Sequence, residues 1–140
     1  MKKIAIPLLL CILGISLMGC TNKLDESKFT LDYNVQEEQF ILGEQVNIDV
    51  EFVNDYKTIR VDVGADGPIT YILYIDGKQQ EQNIESILKT LKLEKNDTNK
   101  KTITVTLEKS GAYKIEMSAK FTYKDTEYNI CKKVLEFSVE

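Results

Sequence analysis

Between Phe29 and Val139 apolar residues recur at every second position through most of the chain, and that period confines it to extended strands. Successive side chains of a strand point to opposite faces, so Phe29, Leu31, Tyr33 and Val35 share one face while Thr30, Asp32 and Asn34 take the other. Val46, Ile48, Val50 and Phe52 repeat the pattern against Asn47, Asp49 and Glu51, and Ile59, Val61 and Val63 continue it. Ile69, Tyr71, Leu73 and Ile75 follow, then Ile103, Val105 and Leu107, then Tyr113, Ile115, Met117, Ala119 and Phe121. Turn formers divide these runs: Asn54-Asp55, Gly64-Ala65-Asp66-Gly67-Pro68, Asp76-Gly77, Ser110-Gly111 and Lys124-Asp125-Thr126. Asp76-Gly77 predicts a type I′ hairpin turn, because both central residues of that turn need positive φ. In the last run Tyr128 and Ile130 are out of parity with Leu135, Phe137 and Val139, which predicts a β-bulge between them. The period changes once: Ile84, Ile87, Leu88 and Leu91 fall on one helical face, so 83–93 reads as one short helix or loop insertion, with Leu91 and Leu93 as the alternative start of a strand. Seven or eight short strands at turn spacings of about ten residues, with no βαβ alternation, predict an all-β antiparallel β-sandwich.

The first residues obey a different rule. Met1-Lys2-Lys3 is a short basic segment, and Ile4 to Met18 is an apolar run interrupted only by Pro7, Gly14 and Ser16. That is the anatomy of a secretory signal peptide, and the run is shorter than the ~20 apolar residues of a spanning helix. Leu17-Met18-Gly19-Cys20, at its end, resembles the bacterial lipobox. The resemblance covers residues 1–20 and implies cleavage after Gly19, a diacylglycerol thioether (and acylation such as palmitate) on Cys20, and a lipid anchor on the extracytoplasmic face of a cell membrane. Two acyl chains hold a soluble domain stably where one does not. The expected organisation is therefore a signal peptide at 1–19, a polar tether at 20–28 and one β-sandwich domain at 29–140.

Glu108-Lys109-Ser110-Gly111-Ala112-Tyr113-Lys114-Ile115 resembles the corner before strand F of immunoglobulin-like domains, where a tyrosine hydroxyl bonds back to the preceding backbone. Ile115 stands where antibody domains carry their second cysteine, and the chain has no tryptophan. The resemblance is thus to bacterial immunoglobulin-like domains, which commonly lack both, and it implies an architecture for residues 29–140.

Composition excludes more chemistry than it suggests. With no histidine in the chain, Ser-His-Asp and Cys-His catalysis and His-ligated metal sites are ruled out. Of three cysteines Cys11 leaves with the signal and Cys20 is the lipid site, so Cys131 has no intramolecular partner and reads as a small half-buried strand residue. Ser86-Ile87-Leu88-Lys89 spells the S-x-x-K of penicillin-binding proteins, but neither Lys-Thr-Gly nor Ser-Asp-Asn accompanies it. Asp62, Asp66 and Asp76 offer oxygens for calcium but lack the spacing of a calcium loop. No cofactor is expected. A net charge of −4, made more negative once Lys2 and Lys3 are removed, argues against nucleic acid as a partner. Among the seven tyrosines Tyr74 and Tyr56 are, by parity, more exposed than Tyr71.

The expectation is a membrane-anchored, non-catalytic module that binds a protein, an envelope polymer or a small ligand. An inhibitory or protective variant is similar to the BsuPI-type proteinase inhibitors; the alternative is a structural accessory subunit of an envelope complex acting through an exposed strand edge. If consecutive strands all reverse, the Gln36 to Glu44 segment, Ser110-Gly111 and Gly64 to Pro68 lie at the end away from the tether. Asp76-Gly77 then lies at the tethered end. On that count Gly64, Asp66 and Gly67 are the candidate ligand-binding residues.

Overall fold

A computed structural model describes residues 23–82 and 88–140. Cys20 and the rest of the signal segment lie outside these residues, as do Ile84 and Ile87 of the expected helix. Among the described residues the chain forms a 3-10 turn at Glu26–Lys28 and nine strands: β1 Phe29–Val35, β2 Gln45–Asn54, β3 Ile59–Gly64, β4 Ile69–Ile75, β5 Lys78–Gln79, β6 Leu88–Leu93, β7 Thr98–Thr106, β8 Gly111–Tyr123 and β9 Thr126–Val139. Every run of alternation in the sequence becomes a strand, and the pairs are all antiparallel.

Two sheets face each other. One has the order β1-β2-β7; the other has the order β5-β4-β8-β3-β6 with β9 also on β8. β8 organises the second sheet. Its edge toward β9 is paired from Gly111 to Tyr123, while its other edge carries β4 from Tyr113 to Ala119 and β3 at Thr122. The inward side chains of β8, Tyr113, Ile115, Met117, Ala119 and Phe121, are all buried and meet Leu31, Ile48, Val50, Phe52, Ile103 and Val105 of the first sheet. This is the immunoglobulin-like β-sandwich.

Three corrections follow from the sheet topology. Leu88–Leu93 is a strand, not part of a helix: it pairs with β3 from Ile59↔Leu93 to Gly64↔Leu88, which satisfies the β3 edge with six register pairs. Leu91 and Leu93 alternate inward there, while Leu88 is 73% exposed, so ladder formation overrode the helical spacing. With β5 this raises the strand number above seven or eight. Second, β3 and β4 both run antiparallel to β8, so the segment between them does not reverse the chain. Gly67 N–H donates to Gly64 O at 3.0 Å, closing a loop that returns the chain to its former direction, and Lys120 N–H holds Pro68 O at 2.7 Å. Gly64, Asp66 and Gly67 therefore sit on the flank of the sandwich beside Lys120, nearer the Tyr123 end of β8 than its Gly111 end. Third, Asp76-Gly77 moves to the end that holds Gly111, where Ile75 pairs with Tyr113.

The end at which the chain enters the sheet is defined by Phe29. Asp55 N–H donates to Lys28 O at 2.8 Å, the Cys131 thiol donates to Phe29 O at 3.2 Å, and Leu24 N–H reaches the Tyr128 hydroxyl at 3.3 Å. Leu24 is buried and contributes to the base of the domain, while Asp25 to Lys28 are exposed. In that base Phe29 stacks on Phe52 at 5.7 Å and Phe121 on Tyr128 at 5.6 Å between centroids, and Phe52 meets Phe121 tilted at 6.3 Å. The part from Lys23 onward thus contains both sheets and closes its own core without a disulfide.

Asn54, at the end of β2, is the buried polar side chain among the described residues. Its amide nitrogen donates to Lys57 O, Leu93 O and Glu94 O at 2.8, 3.1 and 3.4 Å, and its oxygen accepts Tyr56 N–H at 2.9 Å. One carboxamide therefore joins β2 of the first sheet to the end of β6 in the second. The parity slip in β9 is a bulge: Met117 pairs with Lys133 and Ala119 with Ile130, which leaves Cys131 and Lys132 opposite Ser118. Cys131 takes φ +60, and this re-aims the rest of the strand.

Asn54→Ala removes the side-chain partner of three carbonyls and one amide, and should lower unfolding free energy by about 2–4 kcal/mol, against about 0.5 or less for exposed Asn34→Ala, as read from urea denaturation. At the β8–β9 turn Lys124 and Asp125 have φ +48 and +63 with no glycine. Asp125→Gly removes a left-handed penalty of about 1 kcal/mol and should raise the thermal midpoint by a few degrees.

Candidate functional site

Opposite the base, three connections come together: Gln36 to Glu44 between β1 and β2, Asp76-Gly77 between β4 and β5, and Leu107 to Ser110 between β7 and β8. Each is held by specific contacts. The Tyr113 hydroxyl donates to Lys109 O at 2.6 Å and accepts Lys109 N–H at 3.4 Å, so the expected tyrosine corner is present. The Tyr113 ring stacks on Phe137 at 5.2 Å, and Phe137 stacks on Phe40 at 4.0 Å. This three-ring stack passes rigidity from the corner into the Gln36 to Glu44 loop.

The loop is pinned at both ends as well. Gln36 Nε2 donates to Asp49 Oδ2 at 2.7 Å, and the Glu37 carboxylate accepts Asn47 N–H at 3.1 Å. Gly43 N–H donates to Leu107 O at 2.7 Å, and Leu107 N–H to Glu44 O at 2.9 Å. Gln36 first and then Thr102, whose hydroxyl donates to Asp49 Oδ1 at 2.8 Å, hold the Asp49 carboxyl below the usual carboxylate range. Because the folded form binds its proton less readily, this anchor is intact above the ordinary aspartate range and is lost only as pH falls through and below it. Between these pins Ile41 and Leu42 stand side by side, each 48% exposed.

Asp76 is used structurally. Its Oδ1 accepts Ala112 N–H at 2.9 Å, its N–H donates to Ala112 O at 2.8 Å, and both Asp76 and Gly77 have positive φ as the type I′ turn requires. Gly111 lies against it with φ +142, and a Cβ there would stand 2.7 Å from Asp76 Oδ2, so the position needs glycine. Beside the turn, a shallow groove of about 440 Å³ is lined by Tyr74, Ala112, Lys114, Glu136 and Phe137. The Lys114 ammonium lies 4.3 Å from the Tyr74 ring centroid and 3.5 Å from Glu116. Tyr74 and Tyr71 are both half-buried, so parity does not separate their exposure as expected.

Gly64, Asp66 and Gly67 share one flank turn, whereas the three aspartates weighed for calcium do not form a common site. Asp66 is exposed on the flank turn, Asp62 accepts the Thr90 hydroxyl at 2.9 Å on β3, and Asp76 serves the opposite end of β8. No group of three or more metal-ligating side chains is assembled among the described residues. Cys131 is half-buried; burial, then nearby Glu26, pushes its thiol up, the reverse of what a nucleophile needs. Lys89 stands on β6 and its S-x-x-K partner Ser86 lies outside the described residues. Ile41 and Leu42 did not stand out in the sequence as a surface feature. The available signal was Phe40-Ile41-Leu42, an apolar triplet in a glutamate- and glutamine-rich loop with no alternation.

No protein-family model and no curated protein matches the chain. Among solved structures it is similar to the CARDB domain of a Pyrococcus furiosus protein, solved in complex with di-metal ions, at TM-score 0.50 and 14% identity over 79% of this chain and 91% of that one. A protein from Archaeoglobus fulgidus is similar at TM-score 0.46 and 11% identity, over 79% and 96%. The sporulation control protein Spo0M of Bacillus subtilis is similar at TM-score 0.47 and 11% identity, over 81% and 49%. At these identities the likeness to the CARDB domain concerns the fold alone.

Tyr113→Phe removes the corner hydrogen bond without changing the ring stack. It should cost about 1–2 kcal/mol in urea denaturation and speed amide exchange at Lys109 and Gly43, with the remainder of the sheet unaffected.

Proposed function

We propose that this protein is a lipid-anchored, extracytoplasmic, non-catalytic binding module that meets its partner with the end of the sandwich opposite Phe29. The observation carrying this proposal is the polarity of the domain. The chain enters at one end through Leu24 and Phe29, and pre-ordered loops cluster at the other. Between Cys20 and buried Leu24 only residues 21–23 intervene, and at ~3.5 Å per residue they keep the base against the lipid surface. The outward loops are then the part free to engage. Rigid loops on a sheet scaffold are where binding residues concentrate, and pre-ordering lowers the entropy lost on association. The absence of histidine and the raised thiol of Cys131 support a module without nucleophilic chemistry.

A second proposal, a structural subunit of an envelope complex, is favoured by one observation. The outer edge of β7 carries no ladder partner among the described residues and offers nine residues for strand addition. Size-exclusion chromatography of the chain from Lys23 separates the two: a monomer favours the binding module, obligate association the subunit.

Labelled palmitate should be incorporated into the wild-type chain and not into Cys20→Ala, which should accumulate as precursor or leave the membrane fraction. Equal labelling of the two would refute the anchor.

A further inference from the structure

Ile41 and Leu42 form an exposed apolar pair at the tip of a loop whose every other feature resists movement. Phe40 is stacked on Phe137, Gly43 N–H is fixed to Leu107 O, and Glu44 N–H closes back on Ile41 O at 3.1 Å. Nothing in the core needs these two side chains outside; they are absent from the hydrophobic cluster that takes Phe40. Large apolar groups held rigid and half-exposed are how interfaces present their anchors.

The two loops around them are predominantly acidic. Glu38 and Glu44 flank the pair in sequence, and Glu108 follows Leu107, whose backbone is bonded to Gly43 and Glu44. All three are exposed, and within these two loops Lys109 alone opposes them. An acidic rim repels an anionic lipid surface and repels the same tip of a second copy. It matches a protein that offers an apolar cleft with lysine or arginine at its margin.

We infer that Ile41 and Leu42 are the anchor of a protein-docking site, its acidic rim of Glu38, Glu44 and Glu108 selecting a basic partner surface. This deepens the outward-facing proposal and rests on it for orientation only; the test below uses the chain from Lys23, so it is independent of lipidation.

The chain has no tryptophan, which makes Leu42→Trp a unique fluorescent reporter at the tip and Thr30→Trp, exposed on β1 at the opposite end, its control. Both variants replace exposed residues, and an unchanged thermal midpoint verifies the fold. The probes are short peptides alternating Lys with Leu, Glu with Leu, or Lys with Ser. The Lys/Leu peptide should blue-shift Leu42→Trp emission and leave Thr30→Trp unchanged, while neither other peptide does so. Its half-saturation should rise at least about ten-fold between low and near-molar salt, because exposed charge pairs are screened over that range. Joint Glu38→Gln and Glu108→Gln substitution should weaken it similarly, and Ile41→Ser should abolish the shift. Equal response to the Lys/Leu and Glu/Leu peptides, or no response to any, overturns the proposal. A shift caused by phosphatidylcholine vesicles alone assigns the tip to lipid, and one that grows with protein concentration alone assigns it to a second copy; either result also overturns it.

Discussion

Both edges of β8 are paired, and this constraint fixes the rest of the fold. With β9 bonded from Gly111 to Tyr123 on one side and β4 and β3 on the other, β8 cannot rotate or slip. Tyr113, Ile115, Met117, Ala119 and Phe121 therefore point inward together. A one-residue slip would bring Lys114, Glu116 and Lys120 into the core in their place, which no local gain offsets. The bulge at Cys131 lets β9 accompany β8 throughout this length. Without the extra residue, either Ile130 or the Leu135, Phe137 and Val139 set would face solvent.

The two ends of the sandwich are closed by different chemistry. At the base, Asn54 spans the sheets through one carboxamide, and the four rings of Phe29, Phe52, Phe121 and Tyr128 pack together. At the outer end the described residues bury no side-chain amide. Order comes instead from the Tyr113 hydroxyl on Lys109 and the stack of Tyr113, Phe137 and Phe40. That stack is why a nine-residue connection with a glycine presents fixed side chains. It couples the loop between β1 and β2 to strands β8 and β9 of the opposite sheet, so the outer end behaves as one surface rather than three loops.

Most of the fold was legible in the sequence, and its misread parts share one cause. Alternation located the long strands, Asp76-Gly77 announced its turn, the parity slip in β9 announced its bulge, and Tyr113 announced its corner. These are local statements: a two-residue period, a positive φ, a hydroxyl within reach of its own backbone. The helix expected over 83–93 failed at Leu88–Leu93 because an unfilled edge of β3 is invisible to periodicity and decides the conformation once the sheet exists. The outward placement of Gly64, Asp66 and Gly67 failed because turn residues do not report whether the chain reverses or merely loops; the register of β3 and β4 on β8 does.

The candidate site divides the same way. Sequence alone determined the absence of histidine chemistry, the lipobox-like Leu17-Met18-Gly19-Cys20 and the acidic balance, since each depends on which residues are present. Only tertiary structure decided that Asp62, Asp66 and Asp76 stand apart, and that Asp76 is consumed by Ala112. It also decided that Ile41 and Leu42, in a segment with no period of its own, are held half-exposed beside Glu44 and Glu108. Exposure is set by what packs against a residue, and for these two the packing partners of their neighbours, Phe137 and Leu107, lie far along the chain.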